Sequence, residues 1–169
     1  SQEADLPELP RIGMLLELNP ALQNMEWLGR GPFENYRDRN DAAHFGLYQS
    51  TVKDQFHPYL SPQETGNKTA VRKVTFISQE GLGLNIAGEV PFEMTALPYS
   101  PEALTAPTRG AFHGYDFPLR KSFFVSIDQL QMGLGGIASW QSFPLDQYRI
   151  LAQVYQFKIN LKGVSKTPV

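Results

Sequence analysis

Apolar and polar residues alternate with a period of two in short stretches along this chain, separated by clusters of Gly, Pro, Asn and Asp. Alternation of that kind gives a strand one dry face and one wet face, the pattern of an antiparallel all-β domain. The cleanest case is Tyr155, Phe157, Ile159 and Leu161 interleaved with Gln156, Lys158 and Asn160, which predicts the last strand of a sheet. Noisier stretches at residues 12–18, 43–49, 71–78, 82–86, 92–97 and 123–127 bring the expectation to at least seven strands. Helical spacing is nearly absent. One short helix is predicted after Ser100, where serine caps, Pro101 suits the first helical position and Glu102 meets the positive end of the dipole.

Two long stretches, residues 29–41 and 52–69, break the alternation and are expected to be ordered loops, which in a compact domain often carry function. The first packs Glu34, Tyr36, Arg37, Asp38 and Arg39 behind Gly29-Arg30-Gly31-Pro32. It reads either as a salt-bridged loop, Glu34 and Asp38 paired with Arg37 and Arg39, or as a polar rim that hydrogen-bonds sugar hydroxyls or a neighbouring domain. The second contains His57, Tyr59, Gln63 and Glu64 among prolines. It reads either as a Pro-stiffened cover on a sheet edge or as amide and carboxylate groups suited to hydroxyls. Trp140 stands between Gly133-Leu134-Gly135-Gly136 and Pro144. It is either a core residue or a loop platform whose indole face stacks on the C–H side of a pyranose.

Composition narrows the chemistry. With 169 residues, 41% hydrophobic and 19% charged, the chain is long enough for one core. A net charge of -2 and a pI near 5.9 exclude the basic face that draws nucleic acid or anionic lipid. No apolar run approaches the ~18 residues of a membrane helix. The absence of cysteine excludes disulfides, thiolate metal sites and a cysteine nucleophile, and leaves cytoplasm and periplasm both open. Residues 1–10 read as an acidic, Pro-broken lead-in rather than a signal peptide. His44, His57 and His113 form no metal-ligand pattern, and the glycines at 133–136 read as a tight turn without the parts of a phosphate cradle. No Gly-x-Ser-x-Gly elbow occurs, and spacing alone gives no support to a catalytic carboxylate pair.

Several segments together resemble the C-terminal domain of the long, lac-type bacterial β-galactosidases of glycoside hydrolase family 2. They are Leu9-Pro10-Arg11-Ile12-Gly13, Trp27-Leu28-Gly29-Arg30-Gly31-Pro32, Glu34-Asn35-Tyr36 with Asp38-Arg39, Tyr59, Pro62-Gln63-Glu64, Met132-Gly133-Leu134-Gly135-Gly136 and Ser139-Trp140. Fixed words in one order form a specific signal. The resemblance implies a galactose-mutarotase-like antiparallel β-sandwich (a supersandwich), of which residues 11–163 are the C-terminal part, with a lead-in at 1–10 and a tail at 164–169. It implies a non-catalytic segment of a retaining β-galactosidase that hydrolyses terminal β-D-galactosides such as lactose. The acid/base and nucleophile glutamates of such an enzyme lie in a barrel domain elsewhere, as do its Mg and Na ions, so no catalytic residue, cofactor or metal is expected here. Trp140 matches the tryptophan that forms a platform for the leaving group or acceptor, and Glu34, Tyr36, Arg37, Arg39, Gln63 and Glu64 are candidates for a polar rim.

The implied partners are a galactoside or its aglycone sugar, the other domains of the parent enzyme and further copies in a homo-oligomer, with neither nucleic acid nor membrane. By the resemblance the compartment is cytoplasmic. Two departures stand out: Ile137-Ala138 where the family carries an acidic pair, and Glu64-Thr65-Gly66 where Glu-Asn-Gly is common. Two alternatives have their own requirements. An aldose epimerase on the same sandwich needs His44, His57 or His113 as base to meet Glu34 or Glu64 as acid. A stand-alone carbohydrate-binding module would use Trp140 and Tyr36 as platforms.

Overall fold

Strands form where the alternation puts them, with three informative differences. The computed structural model of the chain describes residues 8–59, 65–105, 121–136, 138 and 142–165. Its strands are β1 (Arg11–Leu18), β2 (Asn24–Gly31), β3 (His44–Thr51), β4 (Lys68–Ile77), β5 (Leu82–Leu97), β6 (Phe123–Gln131) and β7 (Ile159–Ser165). All pairings are antiparallel, in the order β1-β6-β5-β4-β2-β3, with β7 on β5. The chain is therefore all-β and helix-poor, consistent with a sandwich. The short helix α1 (Pro101–Thr105) follows Ser100, whose Oγ accepts the Ala103 amide at 3.2 Å and supplies the expected cap.

β2 is the first difference, because residues 29–31 belong to a strand rather than to the loop expected there. Its inward positions are Met25, Trp27, Gly29 and Gly31. The last two carry no side chain to signal burial. A Cβ on Gly29 would lie 2.9 Å from Val71 Cα, and one on Gly31 would strike the Tyr48 and Trp27 rings. Close approach of β4 and of the aromatic pair selects glycine there.

β5 is the second difference: the two strands expected at 82–86 and 92–97 are one strand of 16 residues. Its first half pairs with β7 from Leu82 to Gly88, and its second half pairs with β6 from Glu93 to Leu97. Pro91, which has no N–H to donate, stands between the two pairings, where its lack costs least. The sheet forks at that point, and the third difference lies beside the fork. Residues 155–158 alternate as expected but lie outside β7, whose ladder with β5 ends at the Gly88–Ile159 pair before the fork, with the Glu89 amide still donating to Lys158 O at 3.4 Å.

The core gathers along β2, β4, β5 and β6, with Met25, Trp27, Phe76, Ile86, Met94 and Ile127 each at most 2% exposed. Each such side chain contributes about 1.5–3 kcal/mol by leaving water. Trp27 is also held by its Nε1–H, which donates to Arg30 O at 3.0 Å, and by the Tyr48 ring 5.4 Å away. At the start of β4 a bulge shifts the register between Lys68 and Val71, with Ala70 at a φ of 53°. This irregularity brings Lys68 and Thr69 into the interior beneath the loop that follows β2.

Candidate functional site

The loop of residues 32–43 is built from polar groups that bond to one another and to β4. After the cis Gly31–Pro32 bond, Tyr36 and Arg39 exchange backbone hydrogen bonds of 3.1 and 2.8 Å, forming a tight turn with Arg37 and Asp38 at its tip. Asn35 anchors the turn. Its Oδ1 accepts the Thr69 amide at 2.9 Å and the Thr69 hydroxyl at 2.6 Å, and its Nδ2 donates to Phe33 O at 3.0 Å. Asn67 completes the lacing, donating from Nδ2 to Asn35 O at 3.0 Å while its own carbonyl accepts the Asn35 amide at 2.8 Å.

Glu34 is the loop's acceptor. Its carboxylate takes the Tyr59 hydroxyl, the Gly66 amide at 2.8 Å, the Thr65 hydroxyl at 3.2 Å and the Arg39 guanidinium at 2.8 Å. Burial acts to raise its pKa, but the bonds from Tyr59, Gly66 and Thr65 and the charge on Arg39 outweigh burial and hold it below the ordinary value. Lys68 lies beside it, its ammonium donating to Gly66 O at 3.0 Å and sitting 5.4 Å from the Trp27 ring centre. Burial pulls the Lys68 pKa down to about 8 against the opposing charge of Glu34. These groups border a cleft of about 420 Å³ that also meets Phe33, His57 and Tyr59. His57 and Glu34 thus share a cleft, as an epimerase would require. Glu34, however, is an ionised carboxylate already engaged with four donors, the wrong state for a general acid.

A second polar cluster lies deeper. Glu93 on β5 and Asp128 on β6 face each other in register, 5% and 1% exposed. Glu93 accepts from Asn67 Nδ2 at 3.1 Å and from the Gln131 amide at 3.4 Å, with Arg37 Nε at 3.9 Å. Asp128 has Arg11 at 3.6 Å. Burial pushes Glu93 up to about 7, and the Asp128 charge adds to that rise, against the lowering effect of Asn67, Gln131 and Arg37. No local pattern marks this pair, because each sits at a strand position whose facing depends on what covers the sheet.

The candidate rim residues therefore part company. Glu34 pairs with Arg39 as the salt-bridged reading expects, and Arg39 is exposed. Tyr36 is 1% exposed, so its ring is interior to the loop and presents no platform. Arg37 turns to Glu93 and to Gln147 O, the latter at 3.4 Å. Asp38 is bonded to neither arginine among the described residues; its Oδ2 accepts the Gly135 amide at 2.6 Å. Gln63, Glu64, His113 and Trp140 lie outside the described residues, so their expected roles stand as sequence readings.

The glycines at 133–136 have no positive φ; what they provide is room. A Cβ on Gly133 would lie 2.7 Å from Asp38 Oδ2 and 2.9 Å from Tyr148 Cβ, and one on Gly136 would lie 2.6 Å from the Ser142 hydroxyl. The Gly133 amide also donates to Tyr148 O at 2.9 Å.

The β-galactosidase small-chain family matches residues 1–161. The chain belongs to that family. Its relatives include a β-galactosidase from Priestia megaterium, 44% identical over 147 residues that make up 87% of this chain and 14% of that protein. Another is β-galactosidase BgaC from Bifidobacterium adolescentis, 36% identical over 95% of this chain and 15% of that protein. A third, from Halalkalibacterium halodurans, is 34% identical over 94% and 16%. This small-chain sequence thus spans about one-seventh of the length of these relatives.

Proposed function

We propose that this chain is the non-catalytic C-terminal part of a retaining β-galactosidase that hydrolyses terminal β-D-galactosides such as lactose. The small-chain match along residues 1–161, in a chain one-seventh as long as its relatives, carries the reading. Three carboxylates support it. Glu34 is engaged with four donors, while Glu93 and Asp128 are buried together and line neither the cleft beside Glu34 nor the smaller one beside α1. The catalytic glutamates then come from another domain. Trp140 supplies an aromatic platform for the leaving-group sugar or acceptor, and Arg39, with Gln63 and Glu64, belongs to the rim around it. Residues 11–163 belong to the domain proper, whose last strand β7 continues to Ser165. Exposed Phe45 and Leu47 on β3 and Leu82 on β5 are surfaces that other domains of the parent, or further copies of it, would cover.

Purified alone, the chain is expected to leave a chromogenic β-galactoside intact. Turnover that co-purifies with it and vanishes on Glu34→Gln or Glu93→Gln would sink the reading. In the full-length protein, Trp140→Ala is expected to weaken binding of the aglycone or acceptor sugar by about 1–3 kcal/mol, the scale of one large apolar contact. Cleavage of a galactoside with a good leaving group should be nearly spared. Kinetics across a series of aglycones checks this, and an equal loss for every aglycone would remove Trp140 from the platform.

A further inference from the structure

We propose that the cleft bounded by the loop after β2 and the segment after β3 binds a neutral sugar ring, with the Lys68 ammonium as donor and Phe33 as apolar wall. Its volume of about 420 Å³ falls among small-molecule sites, which span roughly 300–1,000 Å³. Lys68 lines the cleft while only 1% exposed, and among the described residues its ammonium makes one hydrogen bond, to Gly66 O at 3.0 Å. An ammonium carries three donors, and a buried charge is costly without partners, so acceptor oxygens in the cleft are favoured.

The charges around the cleft select a neutral occupant. Glu34 is matched by Arg39, which leaves one carboxylate, Asp54, and one ammonium, Lys68, along the lining. An anion drawn to Lys68 would meet both carboxylates, and a cation would meet the ammonium. A hydroxyl accepts and donates at once, so it can take a hydrogen bond from Lys68 and give one to Asp54. The apolar wall favours a ring over an open-chain polyol. Phe33 is 62% exposed although its backbone is held, its carbonyl accepting from Asn35 Nδ2 at 3.0 Å. Phe56 and His57 are braced edge-on by Tyr99 and Tyr59, with ring centres 4.9 and 4.4 Å apart. Such rings cover the C–H face of a pyranose while its hydroxyls bond elsewhere, and bracing before the ligand arrives lowers the ordering cost. The inference goes beyond the Trp140 platform and does not depend on it.

Methyl β-D-galactoside and methyl β-D-glucoside are suitable probes, because neither has an aldehyde that could react with the lysine amine. In amide proton–nitrogen correlation spectra of the 169-residue chain, at least one of them is expected to give saturable shifts at two reporters. These are the Gly66 amide, which donates to Glu34, and the indole N–H of Trp27, whose ring centre lies 5.4 Å from the Lys68 ammonium. Trp140→Phe assigns the two indole signals. No shift with either glycoside, or equal shifts from glycerol or acetate, would overturn the proposal. Phe33→Ala, at an exposed position, should fold as the unaltered chain does and weaken binding about fivefold or more. Lys68→Met should weaken it about tenfold or more. Should Lys68→Met fail to fold, Phe33→Ala decides, and undiminished affinity there overturns the site. Trp140→Ala separates this cleft from the platform: the shifts should persist in it, whereas their loss would place the sugar at Trp140 and remove it from the cleft. Failure of the platform in aglycone kinetics would leave these results standing.

Discussion

Asn35→Ala is expected to destabilise the chain by about 3–5 kcal/mol, because it strips partners from several buried groups at once, each worth about 1–3 kcal/mol when left unsatisfied. The Thr69 amide and hydroxyl lose their shared acceptor, and Phe33 O loses its donor. Asn35 and Thr69 are 1% and 4% exposed, so water cannot readily substitute. Asn35→Asp keeps the acceptor for Thr69 but sets a carboxylate oxygen against Phe33 O and buries a charge, so it should recover only part of the loss. Urea denaturation of the three proteins checks the order. A loss below about 1 kcal/mol for the alanine variant would mean that the loop after β2 is not anchored through this amide.

Glu93 should make the chain less stable as pH rises from about 4.5 to above 7, the reverse of ordinary acid denaturation. Its pKa is pushed up to about 7 in the fold from an ordinary value of 4.5. Between those values the folded state holds a proton that the unfolded state has released, so deprotonation favours unfolding. The contribution of the neutral carboxyl is complete below about 4.5 and lost above 7, a change on the order of 3 kcal/mol. The groups facing it are the carboxylate of Asp128, which resists its ionisation, and Arg37, Asn67 and the Gln131 amide, which favour it. Glu34 has the opposite sign. Its lowered pKa supplies stability that is lost only as pH falls below the ordinary carboxylate range, so the two windows separate. Denaturation midpoints from pH 4.5 to 8 should decline in the unaltered chain and flatten in Glu93→Gln. Parallel curves would show that Glu93 ionises freely in the fold.

Strands were legible wherever side chains reported their facing. Residues 71–78 and 123–127 alternate and form β4 and β6, and the Ser100-Pro101-Glu102 signature starts α1. β2 escaped because Gly29 and Gly31 occupy buried positions without contributing hydrophobicity. β5 reads as two strands because the alternation breaks across residues 87–91, and Pro91 there sits where the strand changes partner and needs no donor. In the loop, the density of charge at 34–39 marks a place of consequence, and Glu34–Arg39 is an ion pair of the kind that the salt-bridged reading expects. The partners of Asp38 and Arg37 are not of that kind, since sequence proximity favours neighbours and the fold supplied Gly135, more than 90 residues away, and Glu93.

By itself the sequence determined an all-β chain with one short helix, and its ordered motifs identified the β-galactosidase resemblance, because period, capping and fixed words are local properties. Only the tertiary structure decided that the glycines at 133 and 135 make room for the Asp38 carboxylate. It also decided that Tyr36 is interior and that Glu93 and Asp128 are buried side by side. The reason is the same in each case. Space, register and desolvation depend on which distant segment arrives, and a carboxylate's charge state or a glycine's purpose is fixed only once that segment is in place.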